Sequence, residues 1–222
     1  MPASYFDVDG TLIRTNLLHP TAFYLVNQGS PAKALSRIAK AAFSAPFLAL
    51  SEWRDRRAFN ESLYALYEGM TEDRLFVLAD EVYEKVIEPA IYKGARDLVA
   101  SCKANGHRIV FVSGSLDFIV RRLANELGAD DIIANRLEFR DRKATGKLIP
   151  PVVAGPAKAK IIRDHARSRG LSLDDCFAYS DSLSDVPMLS VVGHPAVVHP
   201  DGALERLARA NQWPVLRLDG LS

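Results

Sequence analysis

Two aspartates stand one residue apart near the start of the chain, in Asp7-Val8-Asp9-Gly10-Thr11, directly after the short apolar run Tyr5-Phe6. Side chains alternate along an extended chain, so Asp7 and Asp9 project to one face and Val8 to the other. Ser113-Gly114-Ser115 ends a second apolar run that starts at His107, and Ser180-Asp181-Ser182-Leu183-Ser184-Asp185 ends a third. Lys158 opens a stretch with helical spacing. Four carboxylates gathered on one edge repel one another without cations nearby, and one lysine is too little. Mg²⁺ suits such a set, because it is a hard ion held by one or two carboxylates, waters and phosphate oxygens. A nucleophile, a metal, cationic and amide donors and an acid for the leaving group are the parts phosphoryl transfer needs.

These residues need a scaffold that brings strand ends together. From about Leu17 to Glu88 the apolar spacing is helical throughout, with breaks expected at Gly29-Ser30-Pro31 and Ser44-Ala45-Pro46. After Pro89 the period changes. Helices are expected at 94–105, 116–127 and 157–169, and strands at 107–112, 131–134, 176–179, 197–198 and 214–218. Glu138-Phe139 and Lys147-Leu148-Ile149 are expected to form a small hairpin around Ala144-Thr145-Gly146. Strands alternating with helices on short connections imply an α/β fold, a Rossmann-like doubly wound parallel sheet. Ligands collect at the carboxyl ends of strands in such sheets.

Asp7-Val8-Asp9-Gly10-Thr11-Leu12 resembles the first motif of the haloacid dehalogenase-like (HAD) hydrolase superfamily. Val112-Ser113-Gly114-Ser115, Lys158 and Tyr179-Ser180-Asp181-Ser182-Leu183-Ser184-Asp185 follow in that superfamily's order and approximate spacing, over nearly the whole chain. Ala134-Asn135-Arg136-Leu137, and Ala157-Lys158 ahead of Ile161-Ile162, are similar to its phosphoserine-phosphatase-like branch. The resemblance implies a core of residues 1–15 and 90–222 with an all-helical cap at 16–89. It implies that Asp7 is a nucleophile forming an aspartyl-phosphate. Asp9 would protonate the leaving alcohol and then deprotonate the attacking water. Asp7, the Asp9 backbone carbonyl and Asp181 would hold Mg²⁺, with Asp185 in support. The Ser113 hydroxyl, the Gly114 amide and the Lys158 ammonium would hold the phosphate oxygens.

Each motif has a plainer reading beside this one. Asp-x-Asp-Gly-Thr makes a good turn, Ser115 suits a helix N-cap, Lys160 rivals Lys158, and Asp185 could cap a helix near Val186-Pro187. A response-regulator receiver also clusters acids, a hydroxyl residue and a lysine, but lacks Asp9's counterpart and a helical insertion of this size. A haloacid dehalogenase proper does not need the second aspartate. A non-catalytic phospho-ligand or lipid-binding module is the reading from a different class.

The substrate expected of the nearest branch does not follow from its chemistry. Phosphoserine phosphatases place a glutamate nine residues after the nucleophile, where this chain has Asn16. They place a cap arginine seven residues after a phenylalanine, where alignment on Phe59 finds Leu66. The cap is instead apolar, with Leu35, Ile38, Ala41, Ala42, Phe43, Phe47, Leu48 and Leu50 interleaved with Lys33, Arg37 and Lys40. Core packing with a solvated basic face accounts for this pattern, as does a greasy pocket or a shallow membrane-facing patch. The arrangement is weakly similar to the phosphatase-like N-terminal domains of plant glycerol-3-phosphate acyltransferases. The expected substrate is a small organic phosphate with a glycerol- or lipid-like portion; phosphoserine is the alternative.

The chain has 222 residues and a formal charge of +1, so nothing in the balance calls for nucleic acid. Cys102 and Cys176 stand far apart without ligand-like neighbours and are expected to be buried free thiols. No basic and apolar leader precedes the first strand, and no apolar run reaches the ~18 residues of a membrane span. The expected location is the cytoplasm, with peripheral membrane contact through the cap.

Overall fold

A computed structural model describes residues 1–27 and 30–219, together with all side chains there except those of Lys33 and residues 50–54. Gly29, part of an expected break, and the side chains of Lys33 and Leu50 therefore lie outside the described residues. The strands are β1 (Ala3–Phe6), β2 (Arg108–Leu116), β3 (Asp131–Arg140), β4 (Lys143–Ile149), β5 (Phe177–Ser180), β6 (His194–Val198) and β7 (Val215–Leu216). They form one seven-stranded sheet in the order β4-β3-β2-β1-β5-β6-β7. Neighbours run parallel except at the β3–β4 edge. The chain order reverses beside β1, which puts its end at the switch point where ligands of doubly wound sheets bind.

A parallel sheet is buried on both faces, and the strand sequences show it. Phe6, Ile109, Phe111 and Tyr179 point to one face, while Tyr5, Val110, Val112 and Ala178 point to the other. Helices α1 (Leu18–Val26), α2 (Pro31–Arg54), α3 (Arg56–Tyr64) and α4 (Glu72–Val82) follow β1, and α5 (Ala95–Ala104) and α6 (Asp117–Leu127) flank β2. Together with α7 (Pro156–Arg169), α8 (Val186–Leu189) and α9 (Gly202–Ala210) they complete the two outer layers. Val99 and Cys102 of α5 and Leu123 of α6 cover the first face; Ile162, Met188 and Leu204 cover the second. The first cluster continues into α1, α3 and α4 through Tyr24, Leu63, Leu75 and Val82, so the inserted helices share the apolar layer of the sheet. Phe6 stacks on Tyr179 at 4.5 Å between ring centres, a pair worth about 1 kcal/mol beyond its buried area.

Three local expectations differ from the structure. The break at Ser44-Ala45-Pro46 does not occur: α2 runs through Pro46. Proline there removes one backbone donor, but the residue is exposed, so solvent can meet the freed carbonyl. The hairpin turns at Asp141-Arg142, both at positive φ (47° and 59°), rather than at Ala144-Thr145-Gly146. Gly146 lies inside β4, where a Cβ would stand 3.2 Å from Ala65 Cα. Its glycine thus marks a close approach of β4 to the segment after α3. Ser115 is not the N-cap of α6; that position is Leu116. Cys102 and Cys176 are buried and free.

Candidate active site

Asp7 leaves β1 with its N–H still donating to the Tyr179 carbonyl at 2.9 Å, so the ladder fixes where the carboxylate begins. The chain then folds back tightly: Leu12 N–H bonds to Val8 O at 2.9 Å and Gly10 N–H to Ile13 O at 2.8 Å. Gly10 sits at φ +85°, and a Cβ there would lie 2.2 Å from Asp181 Oδ2. Only glycine combines that backbone with the approach of Asp181. The same turn buries Thr11, whose hydroxyl lies 2.9 Å from Asp181 Oδ1 and 3.2 Å from Asp7 Oδ2 and accepts the Asp181 N–H at 3.1 Å.

Lys158 enters from the first turn of α7 and reaches two carboxylates at once, Asp7 Oδ1 at 2.6 Å and Asp185 Oδ2 at 2.7 Å. All three side chains are buried. Ser180 donates to the same Asp185 oxygen at 2.8 Å. Burial opposes the charge on Lys158, but Asp185 and Asp7 together hold the ammonium above its ordinary range. Burial also pushes Asp7 up, against the pull of Lys158 and with the push of Asp185. Lys160, the rival in the sequence, is exposed and pairs with Asp164.

Asp9 is held differently. Ser113 and Ser115 both donate to its Oδ2, at 3.1 Å and 2.9 Å, while Oδ1 has no partner among the described residues. Burial and the charge of Asp7 push its carboxyl up to about 6, in spite of the two hydroxyls. Burial, then Asp7, pushes Asp181 up to about 7. The pairing of β2 with β3 shifts register between Ser113 and Leu116, which frees Gly114 and Ser115 from the ladder. Gly114 lines the cavity, its carbonyl held from behind by Asn135 Nδ2 (2.7 Å) and the Tyr64 hydroxyl (3.0 Å). Ser113 itself is fully buried, and its hydroxyl is spent on Asp9.

Asp7, Asp9, Gly114, Lys158, Asp181 and Asp185 therefore meet around one cavity of about 370 Å³, with Ser113 just behind it. Arg14 and Arg56 also line it, and nothing in their sequence setting separated them from solvated helix charges. Thr11, Ser115 and Ser180 were likewise passed over as supports; their only signal was a place inside the motifs. Asn16 lines the edge, but its side-chain oxygen is engaged by Leu18 N–H at 3.0 Å. Leu66 is buried in the apolar cluster. Among the described residues no three acidic, imidazole or thiol side chains form a closed metal cage. The open set fits an ion completed by waters and substrate oxygens, whose charge would oppose the burial that raises the carboxyls of Asp7, Asp9 and Asp181.

Residues 5–190 match the family model of the haloacid dehalogenase-like hydrolases, and the chain belongs to that family. A Mycobacterium tuberculosis protein named a probable phosphatase is 32% identical over 237 residues, covering 96% of this chain and 74% of its own. A solved Bordetella pertussis protein of unknown function superposes with a TM-score of 0.83 at 26% identity, covering 98% of each chain. A phosphoserine phosphatase solved as an analogue of its phospho-aspartyl intermediate superposes with a TM-score of 0.70 at 20% identity, over 99% of this chain and 93% of that one. That last likeness is one of fold. The chain is a HAD-type phosphatase.

Proposed function

We propose that this phosphatase is a Mg²⁺-dependent phosphomonoester hydrolase that works through an aspartyl-phosphate on Asp7, on a small organic phosphate with a glycerol- or lipid-like portion. The observation that carries the reading is the pairing of Asp7 with Lys158 at 2.6 Å beside a second carboxyl, Asp9, that titrates at about 6. An Asp7 oxygen attacks phosphorus as the bond to the ester oxygen breaks. Asp9 gives its proton to the departing alkoxide. It then takes a proton from water, whose oxygen attacks phosphorus, and the bond to Asp7 breaks to release inorganic phosphate and the free carboxylate. Lys158 and the Gly114 amide hold the equatorial oxygens, and the Ser113 hydroxyl turns from Asp9 to join them. Asp7, Asp181 and the Asp9 carbonyl would hold Mg²⁺, with Asp185 in support through Lys158 and water; the ion supplies charge neutralisation at the phosphate.

Residues 16–89 act in this reading as a cap over a core formed by 1–15 and 90–222. The cap faces outward along α2 with Leu35, Ile38, Phe43 and Phe47 exposed, Phe43 by 91%, which supports shallow contact with a membrane surface. No helix among the described residues is long and apolar enough to cross a membrane. A cytoplasmic location is part of the same reading, supported by the two free, buried thiols. Phosphoserine is the second substrate reading, favoured by the fold shared with phosphoserine phosphatases. Asn16 and Leu66 speak against it, since neither replaces an ion pair to one end of serine. Hydrolysis of p-nitrophenyl phosphate with Mg²⁺ or with EDTA, for wild type and Asp7→Asn, tests the chemistry. Equal inertness of wild type and variant across a broad phosphate panel refutes it.

A further inference from the structure

Asp9 Oδ1, Thr15 Oγ1 and Asn60 Oδ1 are buried side-chain oxygens with no hydrogen-bond partner among the described residues, and all three residues line the same cavity. Asp9 belongs to the chemistry proposed above. Asn60 and Thr15 do not. Asn60 lies on α3 and is 2% exposed; Thr15, in the segment after β1, is 9% exposed.

The orientation of the Asn60 amide follows from its neighbour. Its Nδ2 donates to the Val153 carbonyl at 3.4 Å, and a carbonyl cannot bond to the amide's oxygen, so Oδ1 is the free end. Asn135 makes the contrast. Its Nδ2 donates to Gly114 O and Val153 O and its Oδ1 accepts from Val153 N at 2.8 Å, so both ends are used within the protein. Asn60 uses one end and leaves an acceptor. The same amide nitrogen stands 3.1 Å from where a Gly114 Cβ would be, which sets Asn60 beside the glycine assigned to the phosphate. The Asn60 side chain thus borders the cavity next to the place proposed for the phosphate.

We propose that Asn60 and Thr15 form a hydroxyl-reading subsite, which selects phosphate esters whose alcohol portion carries a second O–H group. This rests on the phosphatase reading and specifies its substrate class as a polyol phosphate. Both oxygens are buried and without a partner among the described residues, so each lacks a hydrogen bond in the free protein. An ester that satisfies them must bring a donor to Asn60 Oδ1, and an alkyl chain brings none. The Thr15 hydroxyl donates or accepts and so completes a pair with an O–H group. A hydroxyl fits better than an ammonium, because both groups are neutral and a buried cation needs an ionised partner.

The test compares glycerol 3-phosphate, n-propyl phosphate and O-phosphoethanolamine as substrates of the full chain with Mg²⁺, with p-nitrophenyl phosphate as reference. Wild type is expected to favour glycerol 3-phosphate over n-propyl phosphate by about tenfold or more in kcat/KM, the size of one unmade buried hydrogen bond. Asn60→Leu and, independently, Thr15→Val are expected to cut that ratio by at least about threefold each. A merely structural role would lower both esters together and leave the ratio, which overturns the proposal. A wild-type ratio near unity overturns it, as does preference for O-phosphoethanolamine. Hydrolysis of p-nitrophenyl phosphate without turnover of glycerol 3-phosphate refutes the subsite and leaves the phosphatase reading intact. Inertness toward every ester defeats both.

Discussion

Lys158 Nζ lies 2.7 Å from Asp185 Oδ2, with both side chains buried and the other face of the ammonium bonded to Asp7. One lysine thus joins two buried carboxylates that would otherwise face each other unpaired. Replacing it with methionine keeps the bulk and leaves two buried acids unpaired, which costs about 3–5 kcal/mol. Lys158→Met is expected to lower stability by that order at pH 7 in urea titration, and to lower p-nitrophenyl phosphate turnover at least ~100-fold. Full stability in the variant would show that the two ion pairs of Lys158 do not hold the site together.

Ser115 donates to the same Asp9 oxygen as Ser113, and hydrogen bonds to the charged form of an acid lower its pKa. Removing one bond therefore raises Asp9 further above its present value of about 6. A general acid must be protonated, so the rate falls as pH rises through its pKa. Ser115→Ala is expected to move that falling limb to higher pH by roughly 0.5–1 unit for an alkyl phosphate. The move should be smaller for p-nitrophenyl phosphate, whose leaving group needs little protonation. A limb that stays in place, or moves down, removes Asp9 from the acid role.

How much of this could be read in advance depends on what each residue needs from its surroundings. Asp7, Asp9 and Asp181 follow apolar runs and Lys158 opens a helix, and the α/β pattern brings strand ends and helix starts together whatever the details of packing. The sheet was legible for the same reason, because buried parallel strands write themselves as short apolar runs. Ser115 was not, since a hydroxyl after a strand caps helices as readily as it bonds an acid, and only the register shift in β2 turns it inward. Local propensity favours a break at Pro46, whereas the exposed position on α2 lets solvent meet the carbonyl that the proline frees. Asn60 left no trace: its partner, the Val153 carbonyl, is 93 residues away in sequence.

Asp181 titrates at about 7 in the fold, against about 3.9 in an unfolded chain. A raised folded pKa contributes stability below the unfolded value, and that contribution is lost as pH rises through the folded one. The metal-free protein is therefore expected to lose stability between about pH 4 and pH 7. Asp181→Asn removes the charge and should exceed wild type by about 1–3 kcal/mol at pH 8 in EDTA, with no advantage at pH 4. Added Mg²⁺ should stabilise wild type more than the variant. Parallel stability curves for the two proteins in EDTA would contradict the raised carboxyl.

Gly10 joins a positive φ to a contact that leaves no room for a methyl group. Gly10→Ala must move either the turn or Asp181, and the left-handed backbone adds about 1 kcal/mol for any residue with a Cβ. The expected result is a loss of about 2–4 kcal/mol in stability, together with weaker Mg²⁺ dependence of turnover. A variant with wild-type Mg²⁺ dependence would show that the position of Asp181 does not matter to the metal.

Leu35, Ile38, Phe43 and Phe47 recur at spacings of three, five and four on α2, and all four are exposed, while Leu48 on the same helix is buried. A helix that turns aromatic side chains to solvent gains nothing for folding from them, so their loss should be neutral for stability, within ~0.5 kcal/mol. If the cap touches lipid, the same side chains supply the buried apolar area of that contact. Phe43→Ser with Phe47→Ser is expected to leave the thermal midpoint and p-nitrophenyl phosphate turnover as in wild type. Co-sedimentation with vesicles of phosphatidylglycerol and phosphatidylcholine should fall at least ~threefold, because each aromatic removed forfeits on the order of 1 kcal/mol or more of interfacial burial. Wild-type protein that stays in the supernatant at every vesicle concentration would end the membrane reading. Concentration-dependent dimerisation lost in the double variant would assign the same face to a second copy of the chain.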